Sequence, residues 1–238
     1  MFRELPTPSN VPPEGAAVAR ALLSRRSVRG FLPTPVPRDV VESILHLAAR
    51  APSGTNVQPW KVYACTGAIR DALARDILAL HDAGGAGHVK EYSYYPKTWR
   101  EPFLARRRKL GWDYYKTVGV TRQDKPGMHR QHGRNFEFFG APVGLFFTMA
   151  RDLELGSWLD TGMFVQGVMI AARAFDLHTC PQAAFIDYHA VVRRHLAIPD
   201  DEILLCGMSL GVIDREAPEN TLVTEREPVS AFATLLGW

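Results

Sequence analysis

The sequence predicts an α+β fold, a sheet flanked by helices, in a single domain spanning residues 1–238. Three stretches carry that expectation. Residues 60–65 alternate apolar and polar side chains with the two-residue period of a strand. Residues 141–149 form a short, almost unbroken apolar run, as a buried strand does. Residues 156–175 are apolar on nearly every side, with Trp158, Leu159, Met163, Phe164, Val168 and Ile170, so the helix they form must be central or shared with a partner.

Composition agrees with one domain. With 46% hydrophobic and 22% charged residues in a chain of 238, a full core can be buried without a second domain. A net charge of +3 suits an anionic ligand but falls short of the clustered surplus of a nucleic-acid binder. Cys65, Cys180 and Cys206 lie far apart without metal or redox spacing, and read as reduced thiols of a cytoplasmic protein. The first fifteen residues carry acids and prolines rather than a leader-like apolar run, and the run 138–150 is broken by Gly140, Pro142 and Gly144, so no membrane segment is expected.

Taken in order, residues 16–24 place Ala17, Val18, Ala21 and Leu22 at helical spacing. Residues 31–37 are a proline-punctuated link, and Pro37-Arg38-Asp39 opens a second helix whose Val40, Val41, Ile44, Leu45, Leu47 and Ala48 form a broad apolar face. Pro52 ends that helix, Ser53-Gly54-Thr55-Asn56 is turn chemistry in which Gly54 or Asn56 can take positive φ, and Pro59 opens the strand at 60. Residues 68–81 read as an amphipathic helix. Beyond the strand 141–149 and the helix 156–175, residues 178–186 are strand-like, with an irregular edge at Pro181, and residues 202–206 form the last evident strand.

Residues 82–134 differ in kind. Gly84-Gly85-Ala86-Gly87 leads into Tyr92, Tyr94, Tyr95, Trp99, Phe103, Trp112, Tyr114 and Tyr115, set among Arg106-Arg107-Arg108-Lys109. Such rings serve as core and dimer packing, their commoner fate, or as a lid facing a planar ligand. The basic run is a solvated face, or an attractor for carboxylate-bearing substrates and nicotinamide phosphates. His129 and His132 lack carboxylate or thiolate companions at metal spacing, so no metal site is expected. Gly207-Met208-Ser209-Leu210-Gly211 matches a hydrolase nucleophile elbow, yet no helix pattern follows it and the last histidine, His195, precedes it, which excludes that reading.

Two stretches remain. Arg25-Arg26-Ser27-Val28-Arg29 packs three guanidinium groups and a hydroxyl into five residues, the donor set a phosphate dianion prefers. Pro52-Ser53-Gly54-Thr55-Asn56-Val57-Gln58-Pro59-Trp60 sets two carboxamides on a turn. Together they suit a ligand with an anionic tail and a polar, planar head.

The two motifs, separated by one helix, resemble the flavin-binding front half of the nitroreductase superfamily, and the resemblance runs on to Arg226-Glu227-Pro228. It implies a mostly antiparallel sheet, an intertwined homodimer, and FMN as cofactor with NADH or NADPH as donor. Arg25, Arg26, Ser27, Arg29 and Arg226 would hold the phosphate and ribityl chain, with Gly211 close by. Pro52, Ser53, Gly54, Asn56 and Gln58 would meet the ring from across the subunit boundary. Pro181, Gln182, Ala183 and Ala184 would cover flavin N5, with a backbone N–H near Ala183 polarising it and no catalytic side chain. The chain departs from compact bacterial members in lacking a glutamate in that loop, and its pattern is closer to nitrobenzoate-type reductases. Residues 82–134 become a helical lid and residues 221–238 an arm onto the partner. The implied activity is ping-pong reduction of small aromatic substrates, nitroaromatics or quinones. A reductive dehalogenase of iodotyrosine type and a flavin-binding protein without turnover are the alternatives.

Overall fold

Four strands form one sheet: β1 (Lys61–Thr66), β2 (Val143–Ala150), β3 (His178–Gln182) and β4 (Glu202–Gly211). Their order is β1-β2-β4-β3, and every neighbouring pair is antiparallel. This computed structural model describes residues 5–85 and 87–238; residues 1–4 of the N-terminal stretch and Ala86 of the glycine-rich run lie outside the described residues.

Seven α-helices are found among the described residues: α1 (Ala16–Ser24), α2 (Arg38–Ala48), α3 (Gly67–Asp82), α4 (Phe103–Thr117), α5 (Lys125–Gly133), α6 (Leu155–Arg173) and α7 (His189–Leu196). Strand β2 explains how they are layered. Because successive strand side chains face opposite sides, Phe146 enters one apolar core with Leu73 and Ile77 of α3 and Val191 and Val192 of α7. Leu145 and Phe147 enter the other, with Ile44 of α2 and Phe164 and Val168 of α6. The sheet is therefore covered on both faces, which is why residues 143–149 read as a continuous apolar run.

In the first core Phe136, Phe146 and Phe185 are fully buried, with Phe146 and Phe136 edge-on to Phe185 at 5.0 and 5.7 Å. Each such burial contributes about 1.5–3 kcal/mol, so these rings dominate the packing. At α5, Asp124 caps the helix by accepting from Gly127 N at 2.8 Å, with Pro126 in the first turn.

The sequence expectations shift at three places. The piece expected at 178–186 stops as a strand at Gln182 and continues as a 3₁₀ helix, Ala183–Tyr188, whose Phe185, Ile186 and Tyr188 turn into the core. Helix α7 had no counterpart in the expected elements. Strand β4 runs on through Gly207 to Gly211. Ser209 is therefore mid-strand and fully buried, its Oγ donating to Gln182 Oε1 at 2.6 Å, which removes the elbow reading on geometry as well.

At the opposite end of β4 the charges are matched. Glu202, only 2% exposed at its side chain, accepts from Lys61 Nζ at 2.6 Å and Tyr63 OH at 3.0 Å, and from Thr148 Oγ1. Burial alone would raise its pKa, but the Lys61, Thr148 and Tyr63 hydrogen bonds outweigh it and hold the carboxyl below its ordinary value. Nearby, Glu91 joins Arg151 at 2.6 Å and Arg193 at 3.0 Å.

Candidate functional site

Helix α1 ends at Ser24, and Arg25 leaves it in extended conformation, with φ −62° and ψ 126°. The next residues run beside β3: Val28 N donates to Thr179 O at 3.0 Å, and Ser27 bridges Thr179 in parallel. Val28 is buried, while Arg25, Arg26, Ser27 and Arg29 are half-buried around it. Asn220 locks the segment, accepting from Arg29 N and donating to Gly30 O and Asp214 O, each at 2.8 Å. That clamp ties the first motif to the C-terminal stretch carrying Arg226, whose side chain donates to Thr224 Oγ1 at 2.8 Å.

The cluster is a field of like charge. Arg25 is held below its ordinary pKa by burial first and then by Arg226. Arg26 is lowered by burial, then Arg173 and Arg25. His178 is pushed down to about 3 by burial, then by Arg173, Arg26 and Arg215. Among the described residues, no carboxylate pairs with Arg25, Arg29 or Arg226; Arg29 donates to Ser27 O at 3.4 Å and lies 5.2 Å over the Tyr114 ring. His178 Nδ1 and Thr179 Oγ1 are buried without a hydrogen-bond partner among the described residues. Partly desolvated like charges are costly unless a counter-charge joins them, so this donor set fits the phosphate of the FMN that the resemblance implies.

The second motif is a strained turn. Thr55, Asn56 and Gln58 have φ of 47°, 60° and 50°, whereas Gly54 does not take positive φ, so of the two residues expected to do so only Asn56 does. A β-branched residue at such a φ is costly. The turn is held by Asn56 N to Ser53 O and Gln58 N to Ser53 Oγ, both 3.0 Å, and by Gly54 N to Asp160 Oδ2 at 3.2 Å. Pro52, Asn56, Val57 and Gln58 are exposed, and Gln58 Nε2 folds back to donate to Asn56 O at 3.2 Å.

Helix α6 separates the two motifs. Asp160 in its first half holds Gly54, and Arg173 at its end donates Nε to Ser24 Oγ at 3.1 Å. At 1.5 Å rise per residue those anchors lie about 20 Å apart. One chain does not bring the arginine cluster and the carboxamide turn to one point.

Two of the expected ligand positions are engaged within the chain itself. Gln182 is 3% exposed, and its carboxamide is consumed by Asn135 O and Ser209 Oγ, both at 2.6 Å, so it offers a ligand only its backbone. A Cβ on Gly211 would meet Pro142 Cδ at 2.7 Å, and one on Gly207 the Phe185 ring at 2.4 Å. These glycines make room for neighbouring side chains. Pro181 is half-buried in β3, and Ala183 and Ala184 open the 3₁₀ helix, where the first N–H groups have no intrahelical partner.

None of the eight lid rings is buried within the single chain, so the part of the expected packing that falls to its own core is not seen. Tyr95, Trp112, Tyr114 and Tyr115 instead line a cavity of about 510 Å³ that also touches Arg29, Arg107 and Asn135. Arg107 stacks over Trp99 at 5.1 Å and Tyr95 at 5.6 Å. Two others of the basic run hold the tail, Arg106 pairing with Glu227 at 3.0 Å and Lys109 with Glu225 at 3.5 Å, while Arg108 joins the cavity lining. The thiols take no part: burial pushes Cys65 and Cys206 up to about 12 and raises Cys180.

Asp160, His178, Thr179 and Asn220 escaped the sequence reading. Only Asp160, a lone acid on an otherwise apolar helix, left a signal there.

Comparison with known proteins adds an independent line. The sequence profile described as Nitroreductase family matches residues 22–212. The chain is 42% identical over 215 residues to a 4-nitrobenzoate reductase of Nocardioides sp. (strain LMS-CY), covering 89% of this chain and 87% of that protein. It superposes with a TM-score of 0.88 on the FMN- and NADPH-dependent nitroreductase NfnB of sphigopyxis sp. strain HMH, at 37% identity, covering 92% of this chain and 98% of that one. An iodotyrosine deiodinase of Nematostella vectensis matches only 43% of this chain, at 28% identity. Among the described residues no helix is long and apolar enough to cross a membrane.

Proposed function

From the premise that the chain belongs to the nitroreductase family, we propose that it is an FMN-dependent oxidoreductase that takes electrons from NADPH or NADH and reduces small nitroaromatics. The observation that carries this reading is that Arg25 and Arg29, half-buried beside β3, have no carboxylate partner among the described residues. Arg25, Arg26, Ser27, Arg29 and Arg226 hold the phosphate and the adjoining polyol. When bound, FMN supplies the two-electron chemistry itself, so the protein needs no acid, base or nucleophile at the site. The first N–H groups of the 3₁₀ helix at Ala183 polarise the ring edge.

The turn from Pro52 to Gln58 acts on the partner's flavin, since about 20 Å of α6 keeps it from its own arginine cluster. The homodimer this requires would cover a large exposed apolar surface: Leu155 (80% exposed) and Leu159 (68%) on α6, and Leu236 (81%) and Trp238 (100%) on the arm formed by residues 221–238. Such a surface is costly to leave in water. Residues 82–134 act as the lid. Its rings exclude water from the cavity above Arg29, and Arg107 and Arg108 favour a nitroaromatic bearing a carboxylate. The free thiols suit a reducing, cytoplasmic compartment.

The test is spectroscopic. The purified protein should carry a flavin band that bleaches under anaerobic NADPH or NADH and returns on adding 4-nitrobenzoate. A colourless chain that refuses added FMN overturns the reading. Reoxidation by a halotyrosine but not by the nitro compound would move it to the dehalogenases, and a bound flavin that neither nicotinamide bleaches would make it a flavin carrier.

A further inference from the structure

Three ligand-type side chains outside the flavin motifs meet where α3 ends. His81 and Asp82 close that helix, and His129 reaches them from α5. The His81 and His129 rings stack in parallel, 4.0 Å between centroids and 5° between planes. His129 Nε2 lies 2.8 Å from Asp82 Oδ1, and His81 Nε2 lies 3.2 Å from the His129 carbonyl oxygen. One ligand atom from each of the three side chains falls within 4.8 Å of the others. His129, without a carboxylate companion at metal spacing in the sequence, thus has one supplied from 47 residues away, while His132 does not join that group.

We propose that His81, Asp82 and His129 bind a divalent transition ion of the zinc class, which clamps α5 to the end of α3. Two imidazoles and a carboxylate are the donors such ions prefer. Bond lengths of about 2.0–2.2 Å put neighbouring ligand atoms of a tetrahedron about 3.3 Å apart, a spacing that lies between the 2.8 Å contact and the 4.8 Å outer separation. The parallel rings hold their in-plane lone pairs apart, so uptake requires the two imidazoles to tilt out of their stack toward a common point, and a water completes the site from the exposed side. His81 Nδ1 faces Tyr188 OH at 3.5 Å, an outer partner for that nitrogen once Nε2 leaves the His129 carbonyl oxygen for the ion. His132 lies outside the ligand set; it rims the lid cavity with Gln131 and Asn135, so the ion would stiffen the wall that α5 gives to that cavity.

The same helix offers a control. His195 Nε2 meets Asp76 Oδ2 at 2.8 Å, but Arg194 already occupies that oxygen at 3.1 Å and no second imidazole joins it. Calorimetric titration of zinc chloride into the chelator-treated, flavin-loaded full chain should give one equivalent bound and a higher melting temperature. His129→Gln and Asp82→Asn should each weaken uptake at least about tenfold and abolish the thermal shift, while His195→Gln keeps both. Should His129→Gln not fold, Asp82→Asn decides alone. Absence of saturable uptake, or uptake retained by whichever of the two variants fold, overturns the proposal. Neither readout depends on the flavin reaction.

Discussion

The two ends of β4 handle buried charge in opposite ways. At its start, Glu202 is enclosed by Lys61, Tyr63 and Thr148, and Glu91 by Arg151 and Arg193. At its finish, about 30 Å along the strand, His178 of β3 lies opposite Gly211, and Arg25 and Arg226 repel each other with no carboxylate partner among the described residues, while Arg173 has Asp176 at 3.9 Å. The first end is closed by its own hydrogen bonds. The second is open, and the difference marks where a ligand completes the molecule. Perturbed ionisation alone would have flagged both ends. Only the presence or absence of an internal counter-charge separates structure from site.

Three measurements can break or sharpen that contrast. The largest effect belongs to the open end: Arg25→Ala should weaken FMN binding about 10- to 100-fold, as loss of one charge-assisted contact does, and adding Arg226→Ala should weaken it further. Flavin-fluorescence titration reads the loss. The melting temperature of the flavin-free protein should hold or rise, since a like charge is removed; a clear fall would mean that the cluster is structural after all.

At the closed end, Glu202→Gln should cost about 1.5–3 kcal/mol in denaturant unfolding and leave FMN affinity unchanged. The sign with pH follows from the lowered carboxyl. Its contribution is complete above the ordinary value of 4.5 and is lost as pH falls through the folded-state value. The variant should therefore show a flatter decline in acid, with a residual slope from Glu91 and Asp76, which are also lowered. The smallest effect should be at the tail: Arg106→Ala removes a pair whose side chains are 48% and 46% exposed, and should change stability by no more than about 1 kcal/mol, a difference that high salt erases.

Much of this was legible in the sequence because local pattern carried it. Residues 16–24 and the start at Arg38 were bounded correctly because alternation, helical spacing and proline punctuation are local signals. Strand β4 was cut short because Gly207 and Gly211 look like breaks, while their reason, room for Phe185 and Pro142, lies elsewhere in the chain. The 3₁₀ turn after Gln182 was missed for a similar cause: a strand-like composition was overridden by the burial of Phe185 and Tyr188. The arginines of the first motif were readable as anion ligands. That Arg25 and Arg29 meet no carboxylate among the described residues was not, since that is a statement about everything near them in space. His178, Thr179 and Asn220 belong to the same class, as does the companionship of Asp82 and His129.

The span of α6 has a genetic consequence. If each flavin is gripped by the arginines of one subunit and the carboxamide turn of the other, lesions in the two motifs fall into different complementation groups within one gene. A subunit with Arg25 disabled and a subunit with Asn56 disabled are each inactive as pairs of their own kind. Mixed, they assemble one wholly damaged site and one wholly intact site, so two null alleles would together restore half of the activity to every hybrid dimer.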